Sequence, residues 1–181
     1  MSNILLTTDV AAVSGGILVA RLLLGLLMAA HGSQKLFGWF GGFGLTGTGG
    51  FFESLGFRPG RLFATAAGTT EFASGLLIAF GFLGPVGPAL MLSVMIVAAI
   101  SVHWPHGVFA SSNGIEVPLL YGVGAIALAL TGPGLFSLDR LLGLDTLWTP
   151  ALALAALGVG IVAGIGNLVL RRHAPTPAAT A

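Results

Sequence analysis

The side chains in this chain that are equipped for chemistry cluster near the ends of its apolar runs. His31 and Lys35 lie four positions apart, with Ser33 and Gln34 between them. At 100° per residue, a helix puts those two within ~40° of each other. An imidazole exchanges protons close to neutral pH, and an ammonium steadies a developing oxyanion. Glu71 is a lone carboxylate inside a later apolar run and suits a proton donor or acceptor. His103 and His106 flank Trp104 and Pro105, and Glu116 opens the run that follows. Phe37, Trp39 and Trp104 are flat rings beside these polar groups, the kind of surface on which a planar ligand stacks. The candidate catalytic set is therefore His31, Lys35, Glu71 and His103. The candidate ligand-binding set is Phe37, Trp39, Trp104, His106 and Glu116.

Each of these has a plainer reading. Lys35 is also a snorkelling anchor, and the tryptophans Trp39, Trp104 and Trp148 are also an interfacial belt, the reading preferred for Trp148. Glu71 and Arg21 could simply pair and hold two helices together, since a charge buried in a bilayer is costly without a partner. His31, His103, His106 and Glu116 offer nitrogen and oxygen ligands of the kind zinc takes. Pro105, however, breaks the helical spacing between the two later histidines, which equally suit hydrogen bonds to loop backbone, and no metal site is assigned. Asp139, Arg140 and Asp145 read as a solvated loop. The glycines of residues 38–50 sit among aromatics and follow no strand, so they are not a nucleotide cradle, and neither HExxH nor Gly-x-Ser-x-Gly occurs.

The elements that must position these groups are set by composition. Of 181 residues, 55% are hydrophobic and 7% charged, and the mean hydropathy is +0.99. A soluble domain this apolar would have no surface to show to water. The length suits a single domain, 1–181. Apolar runs near 20 residues match the bilayer core at ~1.5 Å rise per residue. The chain is thus an all-α integral membrane helix bundle in contact with the lipid bilayer. A net charge of +1 without a basic cluster excludes nucleic acid as a partner, and the absence of cysteine excludes disulfides and thiol chemistry. The first ten residues carry no positive charge, so they lack the start of a signal peptide, and the first run is expected to stay in the mature protein.

Four core spans are predicted at about 13–37, 62–83, 89–102 and 117–131, and a fifth at 148–170. Arg21, Met28 and Lys35 recur every seven residues, so each drifts only ~20° and the three form a stripe facing protein, with Leu22, Leu23, Leu26 and Leu27 facing lipid. Residues 38–60 form a glycine-rich connection whose aromatic part suits a short interfacial helix, capped by Thr46 or Thr48. The third span is lengthened by its aromatic end, His103-Trp104, and Pro105 ends it. Gly160 and Gly164 make a small-xxx-small pattern that can seat a helix, and residues 174–181 read as a disordered tail.

Five crossings put Lys35, Arg58, Arg61, Arg171 and Arg172 on one side, and the positive-inside bias makes that side cytoplasmic. His31, Lys35, His103, His106 and Glu116 all fall at that same face. Glu71 lies about ten residues in, or ~15 Å, and within ~6 Å of the depth of Arg21. The expected site is a pocket between the first and third spans at this rim, above Glu71.

Taken together, His31-Gly32-x-x-Lys35-Leu36-Phe37-Gly38, Glu71, Val102-His103-x-Pro105-His106-Gly107, Asn113-Gly114-x-Glu116 and Gly132-Pro133-Gly134 before Ser137-Leu138-Asp139 resemble the DoxX family of small bacterial membrane proteins. The likeness covers roughly residues 15–143. The resemblance implies a multi-pass protein of the bacterial inner (plasma) membrane. It also implies kinship with the membrane subunit of a thiosulfate:quinone oxidoreductase and a role in quinone or catechol handling. With no cysteine, direct sulfur exchange on this chain is not expected. The expected function is a component of a quinone-linked membrane oxidoreductase system. A quinone is the ligand, held by the rings and the polar groups above. A membrane anchor for a soluble redox enzyme is the alternative, and a small-solute transporter ranks last because no internal repeat is evident. A homo-oligomer stays open.

Overall fold

In the computed structural model, which describes residues 2–172, the regular elements among the described residues are all helices. The proposed tail, 174–181, lies outside the described residues. Helix α1 is Ser2–Phe37, α2 Gly44–Ser54, α3 Gly60–Phe80, α4 Val86–Ala98, α5 Glu116–Thr131, α6 Leu138–Leu141 and α7 Pro150–Val169. Helices α1, α3 and α7, and α4 with its continuation to His106, are long and apolar enough to cross a membrane, while α5 is shorter. The bundle is an all-α membrane fold, as the composition requires. The third span runs further than expected. It passes through a π-helical turn, Ala99–His103, and a 3-10 turn, Trp104–His106. Pro105 sits in the first turn of that last piece, where its missing N–H removes no intrahelical bond.

Helices α1 and α3 pack antiparallel and close. A Cβ added to Gly32 would lie 2.4 Å from the backbone N of Phe72, and one on Gly75 2.4 Å from that of Ala29. In lipid, where apolar burial itself gives no drive, such backbone approach is what holds helices. The predicted stripe is observed: Arg21 and Met28 are buried, and Leu22, Leu23, Leu26 and Leu27 are exposed to the surroundings. Helix α4 packs against α3, α5 and α7. Gly160 and Gly164 seat α7 against Ala89 and Ser93 of α4, so the small-xxx-small pattern is a true helix contact. Met28, Met91, Met95, Tyr121, Leu128 and Leu157 fill the space between these helices. Helix α2 lies over the start of α3, with Phe52, Phe57 and Ala64 in a second cluster. Neither Thr46 nor Thr48 caps it. Phe43 holds the cap position without a side-chain bond, and Thr48 is buried within the helix. Glu53 near its end instead accepts from the backbone N–H of Gly60 at 3.1 Å, at the start of α3.

The far end of the bundle corrects further expectations. The Arg21 guanidinium donates to the carbonyls of Pro133, Phe136 (2.7 Å) and Ala79 (3.4 Å), not to Glu71. Asp139 is fully buried and not solvated. It accepts from the backbone N–H groups of Leu83 (2.9 Å) and Gly84 (2.6 Å) and from the Trp148 indole (2.8 Å). The carboxylate thus satisfies amide groups freed where the chain turns from α3 into α4. Trp148 joins this cluster through its indole N–H. Arg140 and Asp145, an exposed pair at 2.8 Å, fit the solvated reading.

Candidate functional site

The close α1–α3 packing brings together two charged groups 36 positions apart. The Lys35 ammonium donates to the Glu71 carboxylate at 2.6 Å. Their side chains are 25% and 6% exposed. Small residues on α3 permit this, since Ala64, Gly68, Ser74 and Gly75 on the same face as Glu71 are all buried. The register explains why Arg21 is not the partner. Lys35 lies against Gly68, whereas Arg21 lies against Gly81. Glu71 and Gly81 are ten residues apart, ~15 Å along the helix. The first residues of α3 run past the end of α1 and lie beside α2, where Gly60 meets Gly49. Counting inward from the start of α3 therefore places Glu71 too deep. It sits about one turn from the level of Lys35.

Lys35 and Glu71 are on the wall of a cavity of about 240 Å³. Phe51, Phe52 and Leu55 come from α2, Phe57 and Phe63 from the start of α3 and the loop before it, and Ser93, Val94 and Val97 from α4. The π-helical turn brings Ser101 and His103 to the same wall, and α7 adds Asn167. The cavity is thus centred between α2, α3 and α4, with α3 packed against both α1 and α4, and not between the first and third spans alone. The His103 Nδ1 bonds to the carbonyl of Asn113 at 2.7 Å. A carbonyl only accepts, so that nitrogen carries the hydrogen and Nε2 of the neutral ring holds a lone pair.

Of the nine candidates, Lys35, Glu71 and His103 line the cavity and the other six do not. His31 is exposed and sets its ring edge-on to Tyr121 of α5, with centroids 6.0 Å apart. The stripe of α1 lies at the seam that α3 and α5 share, so ~40° of rotation is enough to give His31 and Lys35 different neighbours. Phe37 packs on Trp39 (4.8 Å) and Phe72 (5.9 Å), outside the cavity. Trp104 is 68% exposed. His106 bonds to the carbonyl of Val102 at 3.0 Å, and Glu116 accepts from the N–H of Ala110 at 2.7 Å. His106 thus bonds back within the end of the third span, and Glu116 ties the α4–α5 loop to the start of α5. Among the described residues no three His, Asp or Glu side chains gather as a metal group would need. The residues that sequence reasoning missed are the aromatics of α2 and α3, the hydroxyls of Thr70, Ser93 and Ser101, and Asn167. Asn167 did leave a signal, being the only amide in the apolar run of α7.

Comparison with known proteins follows the same residues. The DoxX family model matches residues 16–104. Over 127 residues the chain is 32% identical to Inner membrane protein YqjF of Escherichia coli (strain K12), an alignment that covers 70% of this chain and 92% of that relative. No solved structure matches the chain.

Proposed function

The chain belongs to the DoxX family, and on that premise we propose that it is the membrane component of a quinone-linked oxidoreductase system of the bacterial inner membrane, binding a one-ring quinone or catechol-like ligand. The observation that carries the reading is the cavity itself. A charged pair and an imidazole share its wall with phenylalanines at one end of a membrane bundle. Its volume, about 240 Å³, is below that of pockets for drug-sized ligands and suits one substituted ring. Phe51, Phe52, Phe57 and Phe63 supply flat apolar contact for that ring. The Lys35–Glu71 pair meets one ring oxygen and His103 another, so the chain orients the ligand and handles its protons. Electrons pass to or from a separate redox protein docked at this end.

The test is calorimetric. Duroquinone, whose four methyl groups block addition to amines, and its reduced form are titrated into purified protein in nanodiscs. Saturable binding of at least one form is expected. His31→Ala leaves it unchanged, because His31 lies outside the cavity, and Lys35→Met weakens it by at least about tenfold. No saturable heat with either form, or equal binding by Lys35→Met, would remove the reading.

A further inference from the structure

The hydrogen-bond inventory of the cavity wall says more than that a polar ring fits there. The Thr70 hydroxyl donates its single hydrogen to the Ala66 carbonyl, and the Ser101 hydroxyl donates its own to Val97. Each is left with lone pairs only. The Asn167 amide nitrogen donates one of its two hydrogens to Ala163 at 3.0 Å, so its carbonyl oxygen and its second N–H are both free for a ligand. In His103 the hydrogen is on Nδ1, committed to Asn113, which leaves Nε2 an acceptor. The Glu71 carboxylate uses one oxygen for Lys35, and its other oxygen has no partner among the described residues. Five side chains on this wall thus present acceptors. Donors are fewer: the remaining N–H groups of Lys35, the hydroxyl of Ser93 and the second amide hydrogen of Asn167.

A wall of acceptors selects a ligand that brings hydrogens. A quinone has two carbonyl oxygens and no O–H, so against Thr70, Ser101 and His103 it would set lone pairs facing lone pairs. An aromatic diol has two O–H donors on the same ring. Buried polar groups without partners are where binding sites discriminate most strongly between a ligand and its analogue lacking the donor. We infer that the resting site takes the reduced, dihydroxy-aromatic form of its ligand, a hydroquinone or catechol, and excludes the oxidised quinone. Thr70, on α3, is a specificity-determining residue of that choice. The inference rests on the proposed function and narrows it: the chain is the receiving end for an aromatic diol.

Anaerobic calorimetry with durohydroquinone, set beside the duroquinone titration, tests this on the intact chain in nanodiscs. The diol is expected to bind at least about tenfold tighter than the quinone, the equivalent of roughly two net hydrogen bonds. Thr70→Val and Ser101→Ala each remove an acceptor whose own hydrogen is already committed elsewhere. Each is expected to lower diol affinity severalfold and leave quinone affinity where it was. Quinone binding equal to or tighter than diol binding overturns the inference and leaves the proposed function standing. Variants that weaken both forms alike also overturn it, because they show a packing role. If neither form binds, the proposed function itself falls.

Discussion

A carboxylate as buried as Glu71 is stable in a bilayer only because Lys35 meets it, but the two partners are not equally dependent. The Glu71 side chain is 6% exposed, whereas Lys35 is 25% exposed and its long stem can carry the ammonium toward water. Removing the cation is therefore worse than removing the anion. Lys35→Met is expected to cost about 3–5 kcal/mol, the range for a charge left buried without its partner, and Glu71→Gln only about 1 kcal/mol. The double variant should regain most of the stability lost in Lys35→Met, read as the midpoint of thermal unfolding in detergent. Equal losses in the two single variants would count against this asymmetry. Asp139 at the opposite end carries a different load. Asp139→Ala would strand the N–H groups of Leu83 and Gly84 and the Trp148 indole. At about 1–3 kcal/mol for each buried donor, the loss should exceed that of any substitution at the exposed Arg140–Asp145 pair, on the same measurement. The sequence shows that Asp139 is acidic and near a turn. It cannot show that the side chain reaches back 55 positions to Gly84, because nothing local requires it. Glu71 was legible as a buried group for the opposite reason: a single carboxylate in a long apolar run has nowhere else to go.

Among the helices, the α1–α3 contact is what brings Lys35 to Glu71, and glycine makes it possible. At Gly75 an added Cβ would lie 2.4 Å from backbone, whereas at Gly158 on α7 nothing comes within 4 Å. Gly75→Ala should therefore cost about 1–3 kcal/mol through overpacking and also weaken ligand binding, because the helices must part. Gly158→Ala should be neutral or stabilising by up to about 1 kcal/mol from helix propensity alone. The pair of variants separates a steric contact from a mere change of composition, by unfolding midpoint and by calorimetry together. Hydropathy places the spans well, since each is long and apolar and is closed by glycine, proline or charge. It does not say how far one span slides against the next. The start of α3 overshoots the end of α1 because α2 folds back to cover it. That slide decides which cation Glu71 meets, and it moves the pocket to the seam of α2, α3 and α4. The aromatics of α2 were thus readable as an interfacial helix and unreadable as a cavity wall.

The molecule as a whole has two unlike ends. One carries Arg21 and Asp139, locked into carbonyls and amides. The other carries the cavity, and it is also where the exposed positive charge collects. Lys35 ends α1, and Arg58 and Arg61 border the α2–α3 turn. The backbone N–H of Arg172 bonds to the carbonyl of Gly56 at 2.8 Å, and the Arg171 guanidinium donates to that of Leu55, so the end of α7 lies at this same face. Arg140 is the exposed cation of the other end. The bias of lysine and arginine toward the cytoplasm then predicts a bundle with its cavity end inward. The absence of native cysteine makes this directly measurable, because any introduced thiol is the only one to label. Ser112→Cys, in the α4–α5 loop, reports on the cavity end, and Thr146→Cys, between α6 and α7, reports on the other. Both positions are exposed. In intact spheroplasts a membrane-impermeant maleimide should label Thr146→Cys and spare Ser112→Cys, and after permeabilisation it should label both. The reverse pattern would put the cavity outside and overturn the orientation drawn from the charge bias.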